Sequence, residues 1–136
     1  MNIYFEPVNL KQWNMFEMVS GIGHIEAFLA TKSMKVGDIV LLHVGKQFPT
    51  VRSGVYAYGF IVEPPSIYLG NQEEQCYGNL SVMVRIARIE RGEPLINEDE
   101  CKEIFAQFRS VHRVNEIYFD KILKMINQSI NKEKIY

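Results

Sequence analysis

Apolar and polar positions along the chain change period several times, and each change marks an element. Residues 2–8, Asn-Ile-Tyr-Phe-Glu-Pro-Val, read as a short strand that Pro7 edges or ends. Asn9 has the chemistry of an N-cap, with Gln12 three residues on as in a capping box. Leu10, Trp13 and Phe16 follow at helical spacing and predict a helix over 10–19. Ser20-Gly-Ile-Gly23 breaks it. Ile25, Phe28 and Leu29 share one helical face and predict a second short helix over 24–33.

The Val36-Gly-Asp38 turn leads into 39–45, apolar in both alternating phases, as expected of a strand buried on both faces. Residues 54–63 repeat that pattern until Pro64-Pro65 stops it. Residues 66–79 form a long loop of the kind that often serves binding. In the strand over 80–89, Val82, Val84 and Ile86 hold one phase, and then Ala87 and Ile89 take over from Arg88. That change of phase predicts a bulge or the strand's end. Asn97 is placed to cap a helix carrying Cys101, Ile104, Phe105 and Phe108 on one stripe. Asn115 is placed to cap the last helix, with Phe119, Ile122, Leu123 and Ile126 as its apolar stripe. The tail from Asn131 to Tyr136 is polar and expected to fray. Strands closed against flanking helices give an α+β architecture with a small curved sheet or barrel.

The 136 residues show no repeat and no boundary, so one domain over 1–136 is expected. Apolar residues make up 47% and charged residues 23%, ordinary for a globular chain with a core of its own. The net charge of −1 argues against a broad grip on duplex phosphates, so any nucleic-acid contact is local. Cys76 and Cys101 lack metal-ligand spacing, and no cofactor or metal is expected. No stretch resembles a signal peptide or a membrane helix, which makes the cytoplasm the expected address.

The candidate chemistry gathers around the strand over 39–45. His43 reads either as a hydrogen-bonded core histidine or as a pocket residue facing a base edge. Gly45 permits close backbone approach, and Lys46 could contact a phosphate. Ser20, Gly21, Ile22, Gly23 and His24 could present backbone amides to an anion or carbonyl oxygen, or form a plain turn. Tyr68 and Tyr77 in the long loop could stack a base, whereas Trp13 reads as core beside Leu10 and Phe16. Arg85, Arg109 and Arg113 are candidates for contacts with a nucleic-acid backbone. No nucleophile elbow, P-loop or zinc-protease motif occurs.

The element order, with Met34-Lys-Val-Gly-Asp38 leading into a strand, resembles the PUA-like superfamily and within it the EVE domain. Tyr4 and Phe5 in the first strand match that pattern. So do Ser20-Gly-Ile-Gly23 before the Gly-Asp turn, Tyr58-Gly-Phe-Ile-Val-Glu-Pro-Pro65, and Val82-Met-Val-Arg85. Where EVE domains often carry a Trp-Gly-Val-Arg-Asn-like segment, Ser20-Gly-Ile-Gly-His24 has neither Trp nor Arg. The resemblance spans nearly the whole chain. It implies a barrel of five or six strands with helices and a non-catalytic module that reads a modified DNA or RNA base in an aromatic-lined pocket. It also implies a role in defence or restriction systems. The pocket is expected between Ser20–His24, His43–Lys46 and Tyr68. The related ASCH domains imply an alternative, a hydrolase of modified nucleosides, with Lys32 or Lys46 and Glu63 as its candidate groups.

Overall fold

The computed structural model describes residues 1–135, and side chains through residue 127. Its elements in chain order are β1 (Ile3–Val8), α1 (Met15–Met18), β2 (Ile25–Leu29), β3 (Ile39–Val44), β4 (Gly54–Ile61), β5 (Ser66–Ile67) and β6 (Leu80–Ile89). Then come β7 (Ile96–Asn97), α2 (Glu98–Ile104), β8 (His112–Arg113), a 3-10 turn (Glu116–Tyr118) and α3 (Phe119–Ile135). The strands form one mixed sheet along the path β2-β6-β4-β3-β1-β8, with β5 added to β6 and β7 to β4. This is the small curved α+β sheet expected from the sequence, with a six-stranded path.

Strand alternation sends side chains to two cores, one on each side of the sheet. Tyr4 and Val8 of β1, with Val40, Leu42 and Val44 of β3, pack with α1, Phe28 and Ile86. Ile3 and Phe5, with Ile39 and Leu41, pack against α2 and α3. Every residue of β3 is therefore buried, as its two apolar phases require. Parallel pairing of β1 with β3 places Glu6 beside Leu42 and Pro7 beside His43.

The Met34–Asp38 turn is a structural clamp. Asp38, almost fully buried, accepts from the Lys35 amide at 3.0 Å and from the Asn2 amide at 2.9 Å. Gly37 supplies the left-handed φ of 92° that lets its amide reach Ile61 O at 2.8 Å. The signal for a bulge near Ala87 is also met. Gly59 faces Ile86 and Tyr58 faces Arg88, which leaves Ala87 as the extra residue.

Two expected helices differ. Residues 24–33 do not form one; Ile25–Leu29 is a strand paired antiparallel with β6. The spacing of Ile25, Phe28 and Leu29 suits a helix, but in the sheet Phe28 turns inward opposite Val82 while Ile25 and Leu29 lie half-exposed. Cross-strand pairing outweighs the helical pattern here. The helix expected over 10–19 shrinks to Met15–Met18, because its cap is Asn14, whose side chain accepts from the Phe16 amide. Asn9 instead closes a turn, its carbonyl accepting from Gln12 and Trp13. Arg91 finishes α1, donating to Phe16 O at 3.1 Å and Val19 O at 2.7 Å.

At the C-terminal side Asn97 caps α2 as expected, its side chain accepting from the Glu100 amide. The helix stops at Ile104, so Phe105 and Phe108 pack from extended chain beyond it. Asn115 caps the 3-10 turn leading into α3, which buries Ile122 and Ile126. The fraying expected of Asn131 to Tyr136 lies outside the described side chains. Among the described residues no helix is long and apolar enough to cross a membrane.

Candidate functional site

β1 and β2 lie far apart on the sheet path and do not pair with each other. β8 covers only Tyr4 and Phe5, so the edge of β1 from Glu6 to Val8 is left open on that side. Sheet curvature brings this edge toward β2, where the backbone N–H of Leu29 donates to the Glu6 carboxyl group. Between the two strands lies a cleft of about 230 Å³. Drug-sized ligands occupy pockets of roughly 300–1,000 Å³, so this cleft suits one small ring system.

Trp13 and Phe28 form its aromatic wall, edge to face with centroids 5.6 Å apart. The turn over 9–13 and the loop over 71–76 close two sides, joined by Gln75 Nε2 donating to Gln12 Oε1 at 3.1 Å. Cys76 anchors that loop, its thiol donating to Ala27 O at 3.5 Å. Burial pushes the Cys76 thiol up to about 11, which keeps it protonated and a poor nucleophile.

Glu6 is the unusual group. Its side chain points to the same side as Tyr4 and Val8, is 3% exposed, and carries an Oε2 without a hydrogen-bond partner. Burial holds its carboxyl well above the usual carboxylate range, opposed only by the Leu29 amide. A neutral carboxylic acid presents one donor and one acceptor together, the complement of an amidine-like base edge. Glu26, Glu73 and Glu74 add three more carboxyl groups, and among the described residues no Lys or Arg lines the cleft.

The residues singled out by sequence fall in several places. Ser20–His24 forms the turn entering β2, with Gly21 and Gly23 at φ 150° and 93° and Ile22 exposed. The Gly23 amide donates to Ile86 O rather than facing open space. His24 adjoins the cleft, its Nε2 2.7 Å from Glu26 Oε2 and its Nδ1 3.2 Å from Ser20 Oγ. Tyr68 lines a separate groove with Glu63, though its hydroxyl reaches Glu74 and accepts from the Asn71 amide, both residues of the cleft.

His43 is elsewhere, packed among Phe5, Phe105 and Phe108 on the helix side of the sheet. Its side chain is closed off from solvent, with Ser53 Oγ 3.5 Å from Nε2. Burial lowers its pKa to about 4, so the imidazole is neutral. Gly45 and Lys46 follow at the strand's end, and Lys46 lines a second, open groove of about 600 Å³. There its ammonium pairs with Glu98 at 3.2 Å, and Arg52 pairs with Glu93 at 3.3 Å. That groove is larger, but both its cations are paired with acids and it has no aromatic pair with a buried acid behind it.

None of Arg85, Arg109 and Arg113 lines the cleft. Arg85 stands on the outer sheet face opposite Ile25 and Phe60. Arg113 is tied to Asn2 Oδ1 at 3.0 Å and Glu116 at 3.6 Å. Lys46 and Glu63 line different grooves, and Lys32 is exposed on the turn after β2. Among the described residues no three His, Cys, Asp or Glu side chains converge to hold a metal. Glu6, Glu26, Phe28 and Glu74 were not singled out by sequence reasoning, which also read Trp13 as core. One signal was available: a glutamate in the buried phase Tyr4, Glu6, Val8.

No protein-family model matches the chain, and no curated protein matches it significantly. Solved structures do share its fold. A hypothetical protein from Leishmania major superposes with a TM-score of 0.65 at 12% identity, covering 95% of this chain and 96% of that one. Human THYN1, solved in complex with DNA containing 5-methylcytosine, gives 0.58 at 11% identity, over 93% and 98% of the two chains. A variant of the ASCH protein ZmASCH from Zymomonas mobilis gives 0.56 at 12%, over 91% and 98%. The chain thus shares the curved α+β fold of these structures, the ASCH protein and THYN1 among them.

Proposed function

We propose that this chain is a base-reading module that takes one modified nucleobase of a nucleic acid into the β1–β2 cleft. The observation that carries the reading is the pairing of an aromatic wall, Trp13 with Phe28, with the buried carboxyl of Glu6, whose Oε2 has no hydrogen-bond partner. Stacking on such a wall contributes about 1–3 kcal/mol per base and tolerates any ring. Glu6 adds the edge contact that discriminates. Extruding a base from a duplex costs a few kcal/mol, comparable to what these contacts return, so a single-stranded or weakened site is favoured. The likeness in fold to THYN1, whose structure holds methylated DNA, supports the same reading.

The test is titration with oligonucleotides carrying methylated, hydroxymethylated and plain cytosine or adenine, followed through fluorescence. Trp13 is the only tryptophan, so the signal reports the cleft itself. One modification should bind more tightly than its plain parent, and Trp13→Ala, which lacks the fluorophore and is followed by calorimetry instead, should weaken it by about 5- to 150-fold, the equivalent of about 1–3 kcal/mol. Equal and weak binding of every oligonucleotide refutes the reading.

Hydrolysis of a modified nucleoside is the second reading, favoured by one observation. A carboxyl whose pKa burial raises, set at the floor of a cleft, is tuned in the direction a general acid needs. Product release from acylated or methylated nucleosides that is abolished in Glu6→Gln would establish it over simple binding.

A further inference from the structure

We infer that the β1–β2 cleft selects a planar cation, a nucleobase methylated on a ring nitrogen so that the ring itself carries positive charge. This rests on the base-reading proposal and narrows it. The first ground is the charge of the walls. Glu6, Glu26, Glu73 and Glu74 line the cleft, and among the described residues no Lys or Arg does. Such walls repel phosphate and leave a neutral ring's charge balance unimproved. They attract a cation, and they do so more strongly the further the ring enters from water.

The second ground is Glu6 itself. Its Oε2 lacks a partner in a site almost closed to solvent. The group lies against Leu29, whose amide reaches it, and close enough to Cys76 to act on that thiol electrostatically. Both neighbours line the cleft, so the carboxyl sits at its floor. A cationic ring bearing an exocyclic N–H supplies the donor this oxygen lacks, and its positive charge favours the ionised carboxylate that burial alone disfavours.

The third ground is the aromatic pair. Trp13 and Phe28 meet at 84°, so the ring that offers its edge keeps its faces clear of the other. The electron-rich face of an indole attracts a cation beyond ordinary stacking. Glu26 is held in place at the rim by His24, and Glu74 by the Tyr68 hydroxyl. Their carboxyl groups therefore need little ordering when the guest arrives.

Isomer pairs separate charge from size. 1-Methyladenosine and N6-methyladenosine have one composition, as do 3-methylcytidine and 5-methylcytidine, and at pH 6 only the ring-methylated member of each pair is a cation. Calorimetric titration of the full chain with all four should show at least one cation binding about tenfold or more tightly than its neutral isomer. Glu26→Gln and Glu74→Gln should each narrow that ratio. Neutral isomers that bind as well as or better than the cations overturn this inference and leave base reading standing. If none of the four binds, and no modified oligonucleotide does, both fall together.

Discussion

The Trp13 ring meets Phe28 at 84°, centroids 5.6 Å apart, and together they wall a cleft floored by Glu6. Neither aromatic residue was placed there by local sequence. Trp13 sits on a turn closed by Asn9, and Phe28 on a strand held by β6. Tertiary pairing alone puts an aromatic wall beside a buried acid.

Glu6 gives that arrangement a measurable cost. Its folded-state pKa is raised above the ordinary 4.5 by burial. The stability tied to the neutral form is fully present below 4.5 and is lost as pH rises toward the folded value. One proton contributes a slope of up to about 1.4 kcal/mol per pH unit. Glu6→Gln should therefore resist urea better than the parent at pH 7–8, and the difference should shrink as pH falls to 4. Equal pH slopes for the two proteins would contradict the burial of an ionisable group at this point.

His43 works in the opposite direction. Its pKa falls from 6.5 to about 4, so the unfolded chain takes up a proton first as pH drops. Stability is whole above 6.5 and is lost between 6.5 and about 4. At roughly 1.4 kcal/mol per unit this is on the order of 3 kcal/mol. His43→Phe should flatten that acid limb in denaturant melts taken between pH 7 and 4.

Gly59 tests the bulge. A Cβ there would lie 2.4 Å from Arg85 O and 2.6 Å from Val84 Cγ1. Backbone on the neighbouring strand has little room to yield. Gly59→Ala should destabilise the protein by about 1–3 kcal/mol, read as a lower urea midpoint at unchanged slope.

The acidic cleft makes a prediction about salt. Lys46, Arg85, Arg109 and Arg113 were the candidates for phosphate contacts, and none lines the cleft. Each phosphate contact on a single strand contributes about 0.7 to the slope of log affinity against log salt. Binding of a short oligonucleotide should therefore show a slope shallower than about −2. A steeper dependence would locate the grip on a basic surface instead.

Much of the fold was legible because it rests on local rules. Both-phase hydrophobicity marked β3 and β4, Asn97 and Asn115 marked their caps, and the phase change at Ala87 marked the bulge. β2 was misread because three apolar residues at helical spacing carry no record of the strand they pair with. The cleft was harder still. Its wall comes from residues 13 and 28, its floor from residue 6 and its roof from residues 71–76, a convergence created by sheet curvature. His43 attracted attention through chemistry alone, and its phase on β3 sends it to the helix side with Ile39 and Leu41.

The most direct measurement is an amide and indole NMR titration with the tightest-binding nucleoside. The Trp13 indole N–H, Phe28, Leu29 and Cys76 should shift together and saturate with one affinity. Saturable shifts confined to Lys46, Arg52 and Glu93, with the Trp13 signal unmoved, would contradict a base held between the two sheet edges.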